Sequence, residues 1–523
     1  KMQPLPLDYN NISQVKIESS RSAGIMINSE NFQEWFDETI IDYTIQATKK
    51  IAGTSVRVNT LELIERLQKE IADKPGLVYD PKMFDPIKIV HKMAIKAESR
   101  APGTDPTKTR IIFVVCAMKT FIDRIAFEPA MKRCYSRGAN GIGHKWLGGG
   151  ARRFADIFGA HSPDGKFFVA LDISKFDQSV LASLLMICMF LPWFLYDRKS
   201  PDFPVLEKLI LWSLSNSVAK VVKWFGDEWR LIFGLMFSGE LLTSIGDSWY
   251  LEVIFECFDM YLMSIIPDCD KDLFRRCYRR FKDYGDDGLL GMALSFLGSV
   301  ASGPKNEPTV LQFYLRVYWH MDLKMSDSYI CADTDERPDM SLSCFFTQLS
   351  HSWGGEEIAY TGPRFLKRYI IRMDIGYGVE DVPWRPTIDY FSKVSCVSGN
   401  NESVPLHLIR LRALAMDTFG TNERAYEFLK NAHDFLQKIA GTDRVNLIVN
   451  SILTRVIEGD IDGIPAEDLQ IYDRIGGPEG ARVMIVGFPT LQDIRARTTY
   501  DGDKQDCITS EIRERIFRTA RGQ

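Results

Sequence analysis

The chain has 523 residues, 45% hydrophobic and 25% charged, with a formal net charge of −5. That balance excludes a disordered, collagen-like or low-complexity protein. The mild acidity excludes a simple basic coat for nucleic acid, but not an enzyme whose positive charge lines an internal channel.

In chain order, Lys1 to Asn10 holds no apolar run of the kind a secretion leader needs, so no signal peptide is expected. Residues 32–96 read as mainly helical, and the Gly and Pro punctuation around Pro102 to Pro106 and Gly138 to Gly150 reads as loops. Phe167 to Ile173 is a short apolar run suited to a central strand. The longest uncharged run, Val180 to Tyr196, approaches the length of a membrane span. It contains Ser183 and Pro192 and follows Asp177, so it reads as a buried helix, and no membrane span is expected. Phe281 to Leu290 reads as a hairpin around a Gly-Asp-Asp tip. The last third reads as helical: Thr421 is expected to cap a helix whose apolar face is Ala425, Phe428, Leu429, Ala432, Leu436 and Ile439, and Gly441 to end it. The tail from Thr490 onward is polar and basic, an arm laid on the body or a disordered segment. Strands set between helical blocks predict an α+β fold with a sheet at its centre. The ten cysteines include no CxxC pair and do not cluster with the seven histidines, which argues for free thiols rather than a zinc site.

The strongest chemical signal is a set of carboxylates. Asp172 ends a predicted strand, in Leu171-Asp-Ile-Ser-Lys-Phe-Asp177, and Asp286 and Asp287 sit at a predicted hairpin tip, in Tyr284-Gly-Asp-Asp-Gly288. Brought together, they would repel unless cations neutralised them. Oxygen-only ligands suit magnesium or manganese, and two such ions about 3.5–4 Å apart serve phosphoryl transfer. Gly285 fits a tight turn with positive φ. Alone, Asp-Asp-Gly is an ordinary turn, and Asp177 an ordinary cap or surface charge.

Joint order and spacing change that reading. Asp172-x-x-x-x-Asp177, then Ser238-Gly239-x-x-x-Thr243-x-x-x-Asp247-Ser248, then Tyr284-Gly285-Asp286-Asp287 resemble motifs A, B and C of the viral RNA-dependent RNA polymerases, in the usual order. Lys96-x-Glu98-x-Arg100 with Arg110 resembles motif F, and Ser22-Ala23-Gly24 resembles motif G. Lys324 falls where motif D keeps a lysine, and Phe365-Leu366-Lys367-Arg368 resembles motif E. Within that family the picobirnaviruses and their partitivirus-like relatives, with double-stranded RNA genomes, look closest: the compact length, the Ser-Gly-Glu start of motif B and Trp384-Arg-Pro386 suggest it.

The resemblance implies a right-hand polymerase fold of fingers, palm and thumb, with an antiparallel palm sheet and a largely helical thumb. It places the N-terminal segment and fingers in residues 1–166, motif A of the palm in 167–179, and a fingers insert with palm helices in 180–236. Motifs B, C and D of the palm would occupy 237–355, and the thumb and tail 356–523. It implies two Mg2+ or Mn2+ ions held by Asp172, Ile173, Asp286 and Asp287, with Lys324 as general acid to the leaving pyrophosphate. Nucleotide binding would fall to Lys96, Glu98, Arg100, Arg110, Asp177, Ser238, Gly239, Thr243 and Asp247. Template and primer would meet Ser22, Ala23, Gly24, Gly285 and Phe365 to Arg368. The implied partners are RNA template and product, rNTPs and a viral capsid protein; the implied locations are the virion interior and the host cytoplasm.

Thr243 and Asp247 lie four apart and so share a helix face, where Asp177 could join them beside a ribose 2′-hydroxyl. Many positive-strand relatives carry asparagine at the place of Asp247, which leaves open how the two carboxyls share that hydroxyl and whether one is protonated. Lys96, Arg100, Lys108 and Arg110 form a basic cluster suited to a triphosphate, or else a solvated face. Arg275 to Lys282 is a second basic stretch that reads as a phosphate contact or a solvent-facing helix end, and Gly148 to Gly150 with Arg152 and Arg153 resembles a phosphate cradle without P-loop spacing. Two other functions stay open: a reverse transcriptase, and a non-catalytic RNA-binding, capsid-associated protein.

Overall fold

The computed structural model describes residues 90–95, 111–115, 117–134, 139–161, 166–223, 229–237, 239–266, 279–301, 307–332, 343–351, 357–360, 362–376, 378–395, 404–457, 478–485 and 487–499. Ser22, Ala23, Gly24, Lys96, Glu98, Arg100, Lys108, Arg110 and Ser238 lie outside these residues.

The first described element corrects the helical reading of residues 32–96 at its end: Val90–Ile95 is a strand, β1, paired antiparallel with β2 (Ile111–Val114). Helix α1 (Ala117–Cys134) follows, then α2 (Gly150–Phe158) after the glycine-rich loop. Strand β3 (Lys166–Ser174) matches the predicted central strand. The uncharged run forms α3 (Ala182–Leu195), but only one face is buried, through Leu185, Cys188, Met189 and Pro192. Ile187 and Phe194 on the other face are exposed, so the expected buried helix is buried on one face only. No described helix is long and apolar enough to cross a membrane.

Helix α4 (Phe203–Val218) leads into β4 (Ala219–Lys223) and β5 (Trp229–Phe233), which complete a four-stranded sheet in the order β2-β1-β4-β5. The long helix α5 (Thr243–Ile265) precedes the hairpin of β6 (Arg279–Tyr284) and β7 (Asp287–Ala293), as predicted. Helix α6 (Thr309–Tyr314), β8 (Asp322–Leu323) and β9 (Tyr329–Ala332) come next.

These strands make the five-stranded sheet that organises the molecule. β3 pairs with β7 along one edge and with β9 and β8 along the other, all antiparallel. Successive side chains of a strand face opposite sides, so β3 feeds two cores. Phe167, Val169, Leu171 and Ile173 join Ile122 of α1 and Ile245 and Leu251 of α5; Phe168 joins Phe158, Phe345 and the C-terminal helices. Each such side chain contributes about 1.5–3 kcal/mol by leaving water. A strand buried on both faces is held rigidly, which fixes where its end, Asp172, can be.

Two further hairpins, β10–β11 (Gln348–His351 and Glu357–Tyr360) and β12–β13 (Tyr369–Asp374 and Val379–Trp384), precede the helices α7 (Thr387–Ser395), α8 (Val404–Met416), α9 (Glu423–Ala440), α10 (Thr442–Ile457), α11 (Pro478–Ile485) and α12 (Leu491–Thr498). The cap of α9 is Asn422, not Thr421: the Asn422 side chain accepts the Ala425 N–H at 3.0 Å, while the Thr421 hydroxyl is bonded to the Pro383 carbonyl. The stripe buries Tyr426 and His433 beside Ala425 and Leu429, whereas Ile439 is exposed. Helix α12, at the start of the basic tail, opens with a capping box at Thr490 and is laid on the body by Arg495, which bonds the Gly420 carbonyl, and by Thr498, which bonds that of Phe419. Among the described residues, Cys134, Cys188, Cys257, Cys331 and Cys344 form no disulfide.

Candidate active site

The β6–β7 hairpin closes on the pair Tyr284↔Asp287 and leaves Gly285 and Asp286 as a two-residue turn. Gly285 has φ +64, the left-handed conformation that such turns demand. The same β7 runs beside β3 in a register that sets Asp172 opposite Asp287. Residues directly opposite in an antiparallel pair share a face, so the two carboxyls meet at one corner with Asp286 exposed beside them. Burial, then the charges of Asp286 and Asp172, push the Asp287 carboxyl up to about 7; Lys367 and Arg364 oppose that rise.

Lys324 joins the same corner. Its backbone N–H donates to the Asp172 carbonyl at 2.8 Å, and its Nζ lies 3.4 Å from Asp172 Oδ2 and against Asp327. The hydrogen bond it donates to Asp327, reinforced by the Asp172 charge, holds the amine above the ordinary lysine range. The side chain of Ile173 is buried, so only its backbone carbonyl could join a coordination shell. Among the described residues no trio of carboxylate, imidazole or thiol groups is already drawn into a metal cage. The donor set nevertheless fits hard divalent cations: oxygen only, and mutually repelling in a way that such charge would relieve.

The second cluster lies on α5 and the turn after β3. Asp247 is buried, and its carboxyl is pushed well up by burial and then by Asp177, Asp286 and Glu240. Asp177 and Asp247 are therefore near enough for their charges to act on each other. Thr243 is not presented with them: its hydroxyl donates back to the carbonyls of Phe237 and Glu240, closing the loop before α5. That loop rests on the four-stranded sheet, with Phe237 stacked on Phe113 at 3.6 Å between ring centres. Gly239 takes φ +123, and a Cβ there would collide with the Phe113 carbonyl oxygen. Gly239→Ala is therefore expected to cost about 1–3 kcal/mol in urea unfolding, with a loss below 0.5 kcal/mol contradicting this loop position.

Beneath the loop lies a buried ion pair that nothing in the sequence marks as interior. Lys220 Nζ sits 4.0 Å from Glu240 Oε1 and donates to the Gly234 and Leu235 carbonyls. Burial pushes Lys220 down to about 8 and Glu240 up.

At Phe365 to Arg368 the chain makes a tight turn in which Phe365 and Arg368 exchange backbone hydrogen bonds, with Leu366 and Lys367 at φ 51 and 59. Here the expectation of four template or primer contacts is corrected. Phe365 is buried against Phe154, and Arg368 is buried against Asp417, so both are pillars of the turn. Lys367 is the exposed member, and with Arg364 it supplies the positive charge facing Asp287. Arg364 escaped the sequence reading, although its place just before Phe365 was visible.

Two basic features also move. The N–H groups of Gly148 and Gly149 are committed to the carbonyls of Arg497 and Thr498, so the apparent phosphate cradle is a seat for α12. Arg279 to Lys282 belong to a strand rather than a helix end, and Lys282 is buried, donating to the Asn140 carbonyl.

Neither a family model nor a curated protein matches the chain. Among solved structures it is similar to the Sicinivirus 3Dpol RNA-dependent RNA polymerase, with a TM-score of 0.46 and 16% identity, over 72% of this chain and 67% of that one. That overlap is too loose to carry a fold family or a function. What the elements and the site define by themselves is an α+β protein with an aspartate corner at the end of a central antiparallel sheet.

Proposed function

We propose that the protein is a viral RNA-dependent RNA polymerase that adds ribonucleoside monophosphates to an RNA 3′-hydroxyl under template direction and releases pyrophosphate. One observation carries the proposal: the β3–β7 register sets Asp172 opposite Asp287 beside the Asp286 turn, with Lys324 against Asp172. Asp172, Asp286 and Asp287, with the Ile173 carbonyl, would hold two Mg2+ or Mn2+ ions. Such ions lower the pKa of the attacking hydroxyl and stabilise the charge on the transferring phosphate.

The remaining roles belong to the chain's own side chains. Lys324, kept protonated by Asp327 and Asp172, is placed to give a proton to the departing pyrophosphate. Asp177 and Asp247 recognise the 2′-hydroxyl, the buried Asp247 as the partner that more readily holds a proton. Lys367 and Arg364 draw the product strand toward the corner. In this reading the five-stranded sheet and α5 are the palm, the four-stranded sheet belongs to the fingers, and the C-terminal helices form the thumb. The motifs further favour a picobirnavirus- or partitivirus-like polymerase that works in the virion interior and host cytoplasm beside a capsid protein.

The test is RNA synthesis on single- and double-stranded RNA with Mg2+ or Mn2+ and a chelator control. Metal-dependent incorporation of rNTPs is expected. A preference for dNTPs would instead indicate a reverse transcriptase, and RNA binding without synthesis a non-catalytic protein. Asp177→Ala is expected to narrow the preference for rNTP over dNTP about 10–100-fold, the worth of a hydrogen bond to a charged group. An unchanged ratio of kcat/KM values would remove Asp177 from ribose recognition.

A further inference from the structure

Helix α5, which presents Asp247, also reaches the metal-binding turn. Ser248 is fully buried, and its hydroxyl oxygen accepts the backbone N–H of Gly285 at 3.1 Å. In a two-residue hairpin the closing pair satisfies the ladder, and the first turn residue's N–H has no strand partner. The Gly285 N–H is buried, so it needs an acceptor from elsewhere, and Ser248 is that acceptor. Consecutive helix positions diverge by about 100°, so Asp247 can face Asp177 and Asp286 while its neighbour faces the turn. Below the contact the buried Asp283 carboxyl is pushed well up by burial and then by Glu252, with Ser248 and Lys282 opposing that rise.

We propose that Ser248 is a positioning residue that ties the Gly285-Asp286 turn to the helix carrying Asp247, so that the groups facing the metal and the ribose keep one fixed relation. This rests on the polymerase reading above and concerns a residue that touches neither nucleotide nor metal. Without the oxygen, a buried N–H loses its partner and the turn is free to shift. A turn displaced by about 1 Å lowers the chemical step more than binding.

Ser248→Ala is the test, in the full chain. Three measurements are made: steady-state incorporation of rNTPs, Mn2+ binding followed by electron paramagnetic resonance without RNA, and hydrogen exchange of the peptide spanning residues 281–289. The expected results are a kcat about tenfold lower with KM for rNTP within about twofold, several-fold weaker Mn2+ binding, and faster exchange at the turn. Ser248→Thr, which keeps the oxygen, is expected to restore kcat and Mn2+ binding to within about twofold of the wild type. If the alanine variant does not fold, Ser248→Cys, of similar size but with a weak acceptor, is expected to move the same readings in the same direction. Unchanged kcat and Mn2+ binding, with only a lower melting temperature, would overturn the proposal. A wild-type protein that incorporates no nucleotide would defeat the polymerase reading instead, and the Mn2+ and exchange measurements would still decide whether the tie exists.

Discussion

Asp286→Asn is expected to abolish nucleotide incorporation, by about a thousandfold or more, while leaving the fold and RNA binding close to wild type. If Asp286 holds a divalent ion as proposed above, the variant would lose one ligand charge there and with it several kcal/mol of transition-state stabilisation. The fold should survive because Asp286 is exposed at the tip of a turn whose geometry is set by Gly285 and by the Tyr284↔Asp287 pair. Asp286 also raises the carboxyls of both Asp287 and Asp247, so its neutralisation relieves repulsion at the corner. Primer extension, urea unfolding and gel-shift binding together check the prediction. Incorporation within tenfold of wild type would remove Asp286 from catalysis. A folded variant that no longer binds RNA would show that the charge serves recognition instead.

Asp417→Ala is expected to have the largest effect on stability, about 3–5 kcal/mol in urea unfolding. Asp417 is buried between two arginines: Arg368 bonds one carboxylate oxygen, and Arg385 Nη1 bonds the other at 2.9 Å. Both guanidinium groups are interior, so removing the carboxylate takes from Arg368 its Asp417 counter-ion and leaves Arg385 only the more distant Asp389, 3.8 Å away. Because Arg368 anchors the turn that holds Lys367 beside Asp287, the variant should also bind an RNA primer end more weakly at temperatures where it remains folded. Asp417→Asn, which keeps acceptor geometry without the charge, should fall between the two. A loss below 1 kcal/mol for the alanine variant would show that the arginines reach solvent.

The central strand, the Gly-Asp-Asp hairpin and the helices from Thr387 onward were legible in the sequence, because each rests on local physics, whereas the hairpins between Gln348 and Trp384 were not. An uninterrupted apolar run of strand formers, a glycine where φ must be positive, and a helical stripe ended by Gly441 act over a few residues. The misreadings have local causes as well. The strand at Val90–Ile95 carries no clean alternation and gains its partners from Ile111–Val114 and Ala219–Lys223. Thr421 and Asn422 are equally good caps on paper, and a carbonyl from a distant hairpin takes the threonine.

The burial of charge was not legible. Lys220, Glu240, Arg368 and Asp417 look like surface residues in the chain, and their neutralising partners come from remote segments. The same holds for Ser248, whose neighbour Gly285 belongs to another element.

The amino-acid order by itself determined which residues carry the acidic chemistry, and that two of them sit at a hairpin tip, since turn geometry and residue type are local properties. Only the tertiary structure decided that Asp172 faces Asp287, that Thr243 turns away, and that Phe365 and Arg368 serve the interior. Those outcomes depend on strand register and on which charges lose their water, and both are set by contacts between segments far apart in the chain.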